Sequence, residues 1–372
     1  MAEPRLSEIA ATSTVRRIVP IVTSTEVTPH ARATRAETFA FIESELKAAR
    51  LDLPITRPAD QYGRITRGAV DAILANMYLN AEVFTGTVTA TGLTKGAPRW
   101  QDASNFADSV MNSSAGYVLN PNWRANFTAD NYTSKENIFV VNFSAATDVG
   151  FNMPMRVLHY AQYTPEPWNG FSAVAETYAA FDAADQRRQI FLVGPQLNQD
   201  TQQPAYIDAA KTRRLIFDPV IADITAAPDT AGARILKWPV DPAHVAQFNG
   251  NDFAWFRLAE IYLIKAEALN ELGQTAAAVT LINTLRARVF NPPKPIAAAT
   301  QAALRPLILQ ERLFELTAEG KRRQDMIRFG NYTQPFGLKP NAAPAYKILM
   351  PIPQAQLQTN PLLVQNPGYA GG

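Results

Sequence analysis

Two helical periodicities hinged on one glycine constrain this chain more than any other feature. In FAWFRLAEIYLIKAEALNELGQTAAAVTLINTLRARV (residues 253–289), Leu258, Ile261, Tyr262, Leu269 and Leu272 fall on one helical face. Gly273 then breaks the helix, and Thr275 is placed to cap a second one that runs to about residue 289. Trp255, Leu258, Ala259 and Tyr262 follow the W-x2-L-G-x2-Y opening of a tetratricopeptide repeat, with Ala for Gly. The first helix is longer than that repeat allows and Pro292 comes late for its closing proline, so the hairpin is repeat-like, and no tandem array at a fixed period accompanies it. A charged helix (ILQERLFELTAEGKRRQDMIRFG) and a proline-rich tail (ILMPIPQAQLQTNPLLVQNPGY) follow. Neither carries a nucleophile or a metal-ligand set, which points to binding rather than chemistry.

Upstream, helices are expected at about 36–50, capped by Thr34 or Thr38, at about 66–83, and at about 100–114. The small residues Ala69, Ala72, Ala75 and Ala81 let the second pack closely on a neighbour. From 117 to 253 periodicity weakens. NIFVVNF (137–143) predicts a strand and residues 172–180 a helix; the rest is rich in Pro, Asn, Gln, Thr and aromatics. So long an irregular stretch inside a compact protein is usually functional. Together these readings predict a mainly α fold, with tetratricopeptide-like hairpins as scaffold, long irregular loops and a few short strands. The expected organisation is one domain over 1–372: a helical part (about 35–115), an irregular ligand-binding part (about 116–252), and a helical scaffold with its tail (about 253–372).

The 372 residues are 47% apolar and 18% charged, as in a globular protein. A net charge of +2 gives no basic surface for nucleic acid. There is no cysteine, which excludes disulfides and thiolate metal sites. The three histidines (His30, His159, His244) stand in unrelated contexts, so neither a transition metal nor another cofactor is expected. No G-x-S-x-G elbow, Walker loop or G-x-G-x-x-G occurs. Carboxylates such as Asp182, Asp185, Glu166 and Glu176 could form a glycosidase pair, but among 33 acidic residues a chance pair is easily found; that reading needs two carboxylates across one cleft at about 5–10 Å.

In the charged helix, Glu319 with Arg323 and Arg322 with Asp325 have i,i+4 and i,i+3 spacing, and the set reads as an ion-pair network tying the helix to its neighbours rather than as an anion site. The aromatic loops differ. YTPEPWNGF (163–171) places Tyr163, Trp168, Asn169 and Phe171 where Pro and Gly forbid a helix; KWPVDPAHVAQFNGND (237–252) offers Trp238, His244 and Phe248 among amides and carboxylates. Aromatic faces stack on the C–H faces of sugar rings while amides bond their hydroxyls. Tyr163, Trp168, Asn169 and Trp238 are therefore the candidate carbohydrate-binding residues, while Trp123 and Trp255, beside regular structure, are assigned to the core.

The ordered pieces resemble the SusD/RagB family of outer-membrane nutrient-binding lipoproteins. RIVPIVT (17–23) is similar to its G-x-P-x-V segment, and GRITRGAVDAILANMYL to its GR-x-T-x-GA helix. SKENIFVV resembles its S-x-E-x-I-F strand, and FRLAEIYLIKAEALNELG, ERLFELTAEGKRRQDMIRFG and ILMPIPQAQLQTNPLLVQNPGY its C-terminal set. The resemblance implies a helical scaffold whose irregular loops bind glycans, or sometimes peptides. It implies no catalysis, a surface-facing place on the outer membrane, and a TonB-dependent (SusC-like) transporter as partner. Family members usually start with a signal peptide, a lipid-modified cysteine and an N-terminal helical region. This sequence begins beyond that point, so a truncated or degenerate start is expected. The alternative is a helical-repeat scaffold that binds peptides or proteins.

Overall fold

Three helices set the frame. The computed structural model describes residues 29–146 and 149–371, so the RIVPIVT segment lies outside the described residues. Helix α1 (Arg35–Asp52) opens with a capping box: the Thr34 hydroxyl accepts from the Glu37 amide, and the Glu37 carboxylate accepts from the Thr34 amide. Helix α2 (Arg67–Leu79) is capped by Thr66. Its Gly68, Ala69, Ala72 and Ala75 are buried; a Cβ on Gly68 would come within 2.4 Å of the Tyr117 hydroxyl. The helix expected to reach residue 83 instead breaks at Asn80 and continues as a short α3 (Ala81–Phe84). Helix α4 (Trp100–Met111) lies against α2, and Val70, Leu74, Tyr78, Ala103, Ala107 and Val110 form one core with residues of the C-terminal hairpin.

A strand precedes that hairpin. Residues 253–257 continue the helical pattern on paper, but five aromatic-rich residues also suit a strand. They form one, Phe253–Arg257, antiparallel to Asn137–Val141. Alternation buries Ala254 and Phe256 and turns Trp255 outward at 51% exposure, which corrects its assignment to the core; Trp123 is buried as expected. Helix α5 (Leu258–Glu271) follows, then Gly273 with φ +80°, then α6 (Thr275–Arg286). Thr275 is the first helical residue rather than the cap, and its hydroxyl bonds the Asn270 side chain at 3.0 Å. Helix α7 (Gln301–Leu316) closes on both through Ala266, Leu269, Ala278, Ile282, Leu304 and Ile308.

The charged segment is two helices, not one. Ala318 and Gly320 have positive φ, and α8 (Arg322–Arg328) begins after them. The ion-pair reading holds in kind, but its partners differ. Glu311, Glu315 and Glu319 face inward. Arg187 reaches Glu311 (2.6 Å) and Glu315 (2.8 Å); Arg257 reaches Glu136 (2.9 Å), Glu315 (2.6 Å) and Glu319 (2.7 Å). Lys237 Nζ donates to Glu319 and to the carbonyls of Glu315 and Thr317, and Trp123 Nε1 donates to Glu315. Arg323, expected on Glu319, instead donates to the Ile348 carbonyl. These groups bolt the irregular region to the helical frame. That region holds only short pieces, among them Met153–Val157, Ala175–Ala180 (shorter than the expected 172–180) and two-residue strand pairs such as Phe191–Leu192 with Arg234–Ile235. The molecule is mainly helical, with few and short strands.

Candidate functional site

The loop 163–171 is fixed by backbone, not by side chains alone. It folds back over the short helix Met153–Val157, whose terminal carbonyls would otherwise lack partners. Trp168 N donates to Met155 O (2.7 Å), Asn169 N to Leu158 O (3.0 Å), and the amides of Gly170 and Phe171 to Arg156 O (2.8 and 3.0 Å). Asn169 adopts φ +50°, a conformation asparagine tolerates better than most residues. Its amide is used within the protein: Nδ2 donates to Asp229 O (2.8 Å) and Oδ1 accepts from Arg234 Nε (2.9 Å). Arg234 is buried, and its other nitrogens bond the carbonyls of Asp229, Ala231 and Gly232. Asn169 thus holds the loop in place; its amide group is not turned out to a ligand.

The Trp168 ring is the projecting group of that loop. It stays 45% exposed, with the Arg156 guanidinium 5.1 Å from its centroid, and Arg156 is itself tethered to Asn152 (3.1 Å). Phe171 and Tyr160 are also exposed. The other two aromatic candidates are corrected. Tyr163 is buried among Met155, Val157, Leu158 and Leu236, its hydroxyl donates to Ala246 O (2.9 Å), and burial pushes that hydroxyl up to about 12. Trp238 is 2% exposed, stacked on Phe253 (5.5 Å, 28°) and against Phe127 and Phe151. Neither presents a free ring face to a sugar. The structure therefore brings Trp168 and Asn169 together with Phe171 and leaves Trp238 in a separate core.

Beside this loop is a cleft of about 350 Å³, walled by His159, Tyr160, Tyr206, Asp208, Arg213 and Asp229 among others. Asp229 joins the two places, because its carbonyl receives Asn169 and Arg234 while its carboxylate faces His159. The sequence reading missed Tyr160 and Asp229. Tyr160 stands three residues before Tyr163 and was open to the same aromatic reasoning; nothing local marks Asp229. The glycosidase reading loses two of its carboxylates to structural pairs: Asp185 is buried on Arg187 (2.8 Å), and Asp182 meets Lys294 (2.8 Å). Among the described residues no group of three or more His, Asp or Glu side chains gathers as a metal site. A larger groove of about 750 Å³ runs beside α1, where Phe39, Ile42, Met77, Phe84 and Leu349 make it mostly apolar. Its polar lining groups include Arg32, Arg35, Thr38 and Asn366.

The helical frame carries an aromatic loop tied back by its own amides, and comparison gives the chain's family. Residues 72–369 match the SusD family, and the chain belongs to it. It is 26% identical to starch-binding protein SusD of Bacteroides thetaiotaomicron, over 90% of this chain and 65% of that one. It is 34% identical to a SusD-like protein of Formosa agariphila over 36% of this chain and 28% of that relative. The chain thus spans less than two thirds of the length of either. The surface glycan-binding protein A of Bacteroides thetaiotaomicron, solved in complex with laminarihexaose, is similar in fold: TM-score 0.69 at 21% identity, covering 94% of this chain and 74% of that one.

Proposed function

We propose that this chain is a non-catalytic glycan-binding protein, that its ligand stacks on Trp168 with Phe171 beside it, and that it delivers glycans to a TonB-dependent outer-membrane transporter. Members of the SusD family are carbohydrate-binding proteins and not enzymes. The observation that carries the proposal is the Trp168 ring, exposed on a loop whose main chain is held by four hydrogen bonds and flanked by the Arg156 guanidinium. A loop backbone already fixed in place loses little entropy on binding, so more of the stacking energy appears as affinity. Starch-binding and laminarihexaose-bound relatives support the ligand class. The transporter partner and the surface location are proposed on the family resemblance. Native gels cast with a panel of polysaccharides test the binding: at least one glycan should retard the protein, and none retarding it would count against the proposal.

The peptide-binding alternative is favoured by one feature, the apolar groove beside α1. On that reading Trp168→Ala leaves binding intact, and a polar substitution at exposed Ile42 abolishes it.

A further inference from the structure

A second cleft, of about 270 Å³, carries a positive charge that nothing cancels. Tyr178, Gln186, Arg188, Gln189 and Phe191 wall it, among others. Tyr178 stands on the short helix Ala175–Ala180, and one 3-10 turn, Gln186–Ile190, carries the arginine and both amides. Arg188 is partly buried, with its guanidinium 4.2 Å from the centroid of the Tyr178 ring. Tyr178 in turn packs edge-on against Phe191 (5.7 Å, 70°). The guanidinium is thus held by a ring and not by a counter-ion. Its Nε is enclosed, whereas its two terminal nitrogens reach solvent and make no hydrogen bond or ion pair among the described residues. The carboxylates nearest in sequence are turned elsewhere. Asp185 is buried on Arg187 (2.8 Å) and accepts the Arg187 amide (2.9 Å); Asp182 pairs with Lys294 (2.8 Å). The Glu176 carboxylate lies beside Gly337, where a Cβ would stand 3.3 Å from it. Gln186 and Gln189 are exposed, and their side-chain amides likewise have no partner among the described residues. Taking a guanidinium partly out of water costs free energy that an anionic partner offsets.

We infer that this cleft is a subsite for an anionic sugar, one bearing a carboxylate or a sulfate, in the glycan that stacks on Trp168. The oxyanion would lie across the two terminal nitrogens of Arg188, accepting from both, a geometry that a planar guanidinium offers and an ammonium does not. The Gln186 and Gln189 amides, each able to donate and accept, would bond the ring hydroxyls. A neutral sugar would leave the charge of Arg188 unmet, and an amino sugar would be repelled by it. The strand around Arg234 fixes the cleft relative to Trp168. Arg234 Nε bonds Asn169 beside that ring, Ala233 pairs with Ala173, and Arg234–Ile235 pair with Phe191–Leu192 at the cleft wall.

The inference rests on the glycan-binding proposal, and one experiment separates them. Calorimetry follows the native protein, Arg188→Gln, Arg188→Lys, Trp168→Ala and Lys135→Gln with three kinds of polysaccharide. These are neutral (laminarin, dextran), carboxylated (polygalacturonate, alginate) and sulfated (carrageenan, dextran sulfate). Lys135 is exposed and outside the cleft, so its variant removes the same charge without touching the site. At least one acidic polysaccharide should bind more tightly than every neutral one, and the class that does so identifies the oxyanion. Arg188→Gln should weaken that binding about tenfold with the fold kept, as expected for losing hydrogen bonds to a charged group. Arg188→Lys should not restore it, and Lys135→Gln should leave it nearly unchanged. If neutral polysaccharides bind through Trp168 and no acidic one binds better, the subsite is wrong and the proposed function stands. If Lys135→Gln weakens acidic binding as much as Arg188→Gln does, the attraction is diffuse charge and the inference falls. If acidic binding needs Arg188 but not Trp168, the subsite stands and the stacking role of Trp168 falls. If no polysaccharide binds, both fall.

Discussion

Four residues of like chemistry were equally plausible sugar contacts, and their surroundings separate them. Trp168 and Trp238 both stand in irregular chain beside prolines, Trp168 after Pro165 and Pro167 and Trp238 before Pro239, and no local pattern distinguishes their fates. Trp238 is buried because Phe127 and Phe253, 111 and 15 residues away, close over it. Trp168 is left out because its loop spends its amides on the carbonyls of one short helix. Exposure of an aromatic in irregular chain is a long-range property, so only the loop was legible, not which ring would project. The two rings should respond oppositely. Trp238→Ala empties a packed core site and should cost about 3–5 kcal/mol of stability. Trp168→Ala loses little beyond a half-exposed cation–π contact and should cost under about 1 kcal/mol. Chemical denaturation of both variants checks this, and equal losses would contradict the assignment.

At the scale of elements, the first helix cap and the hairpin glycine were legible because they depend on neighbours in sequence, while the breaks at Asn80 and at Ala318–Gly320 were not. Thr34 caps α1, and Gly273 turns the hairpin. The error at residues 253–257 has the opposite origin: their strand partner lies more than a hundred residues upstream. The same holds for the charged segment. Surface pairs such as Glu319 with Arg323 would have been worth only about 0.3–0.5 kcal/mol. The buried network instead joins Glu136, Glu311, Glu315 and Glu319 to cations from four separate segments. Removing one cation strands buried carboxylates, so Arg257→Met should destabilise by about 3–5 kcal/mol. Urea unfolding measures it, and a loss below about 1 kcal/mol would show that the network is not what holds the loops to the frame.

For the whole molecule the same network sets the response to acid. Burial alone would raise the carboxyls of Glu315 and Glu319, but Arg257 on both, Arg288 and Arg187 on Glu315, and Lys237 on Glu319 hold them below the usual 4.5. Against its own burial, Asp325 is held low by Arg312 and Arg328. A carboxylate with a lowered folded pKa binds fewer protons folded than unfolded, so acid favours unfolding. Its contribution is complete above 4.5 and is lost as pH falls from there toward the folded values. His159, lowered from 6.5 by burial, adds a shallower decline that begins as pH drops below 6.5, where only the unfolded form takes up the proton. The thermal midpoint should therefore sag slightly below 6.5 and fall steeply below 4.5. A midpoint unchanged down to about pH 3 would contradict this account.

The account as a whole depends on one ring being the place where glycan is met. Titration calorimetry of the native protein and of Trp168→Ala, with the polysaccharide that retards the protein most, tests that directly. The loss of a stacking aromatic should weaken binding by at least about tenfold while the fold and its thermal midpoint are kept. Equal affinity in the two proteins would contradict it and move the binding site elsewhere on the molecule.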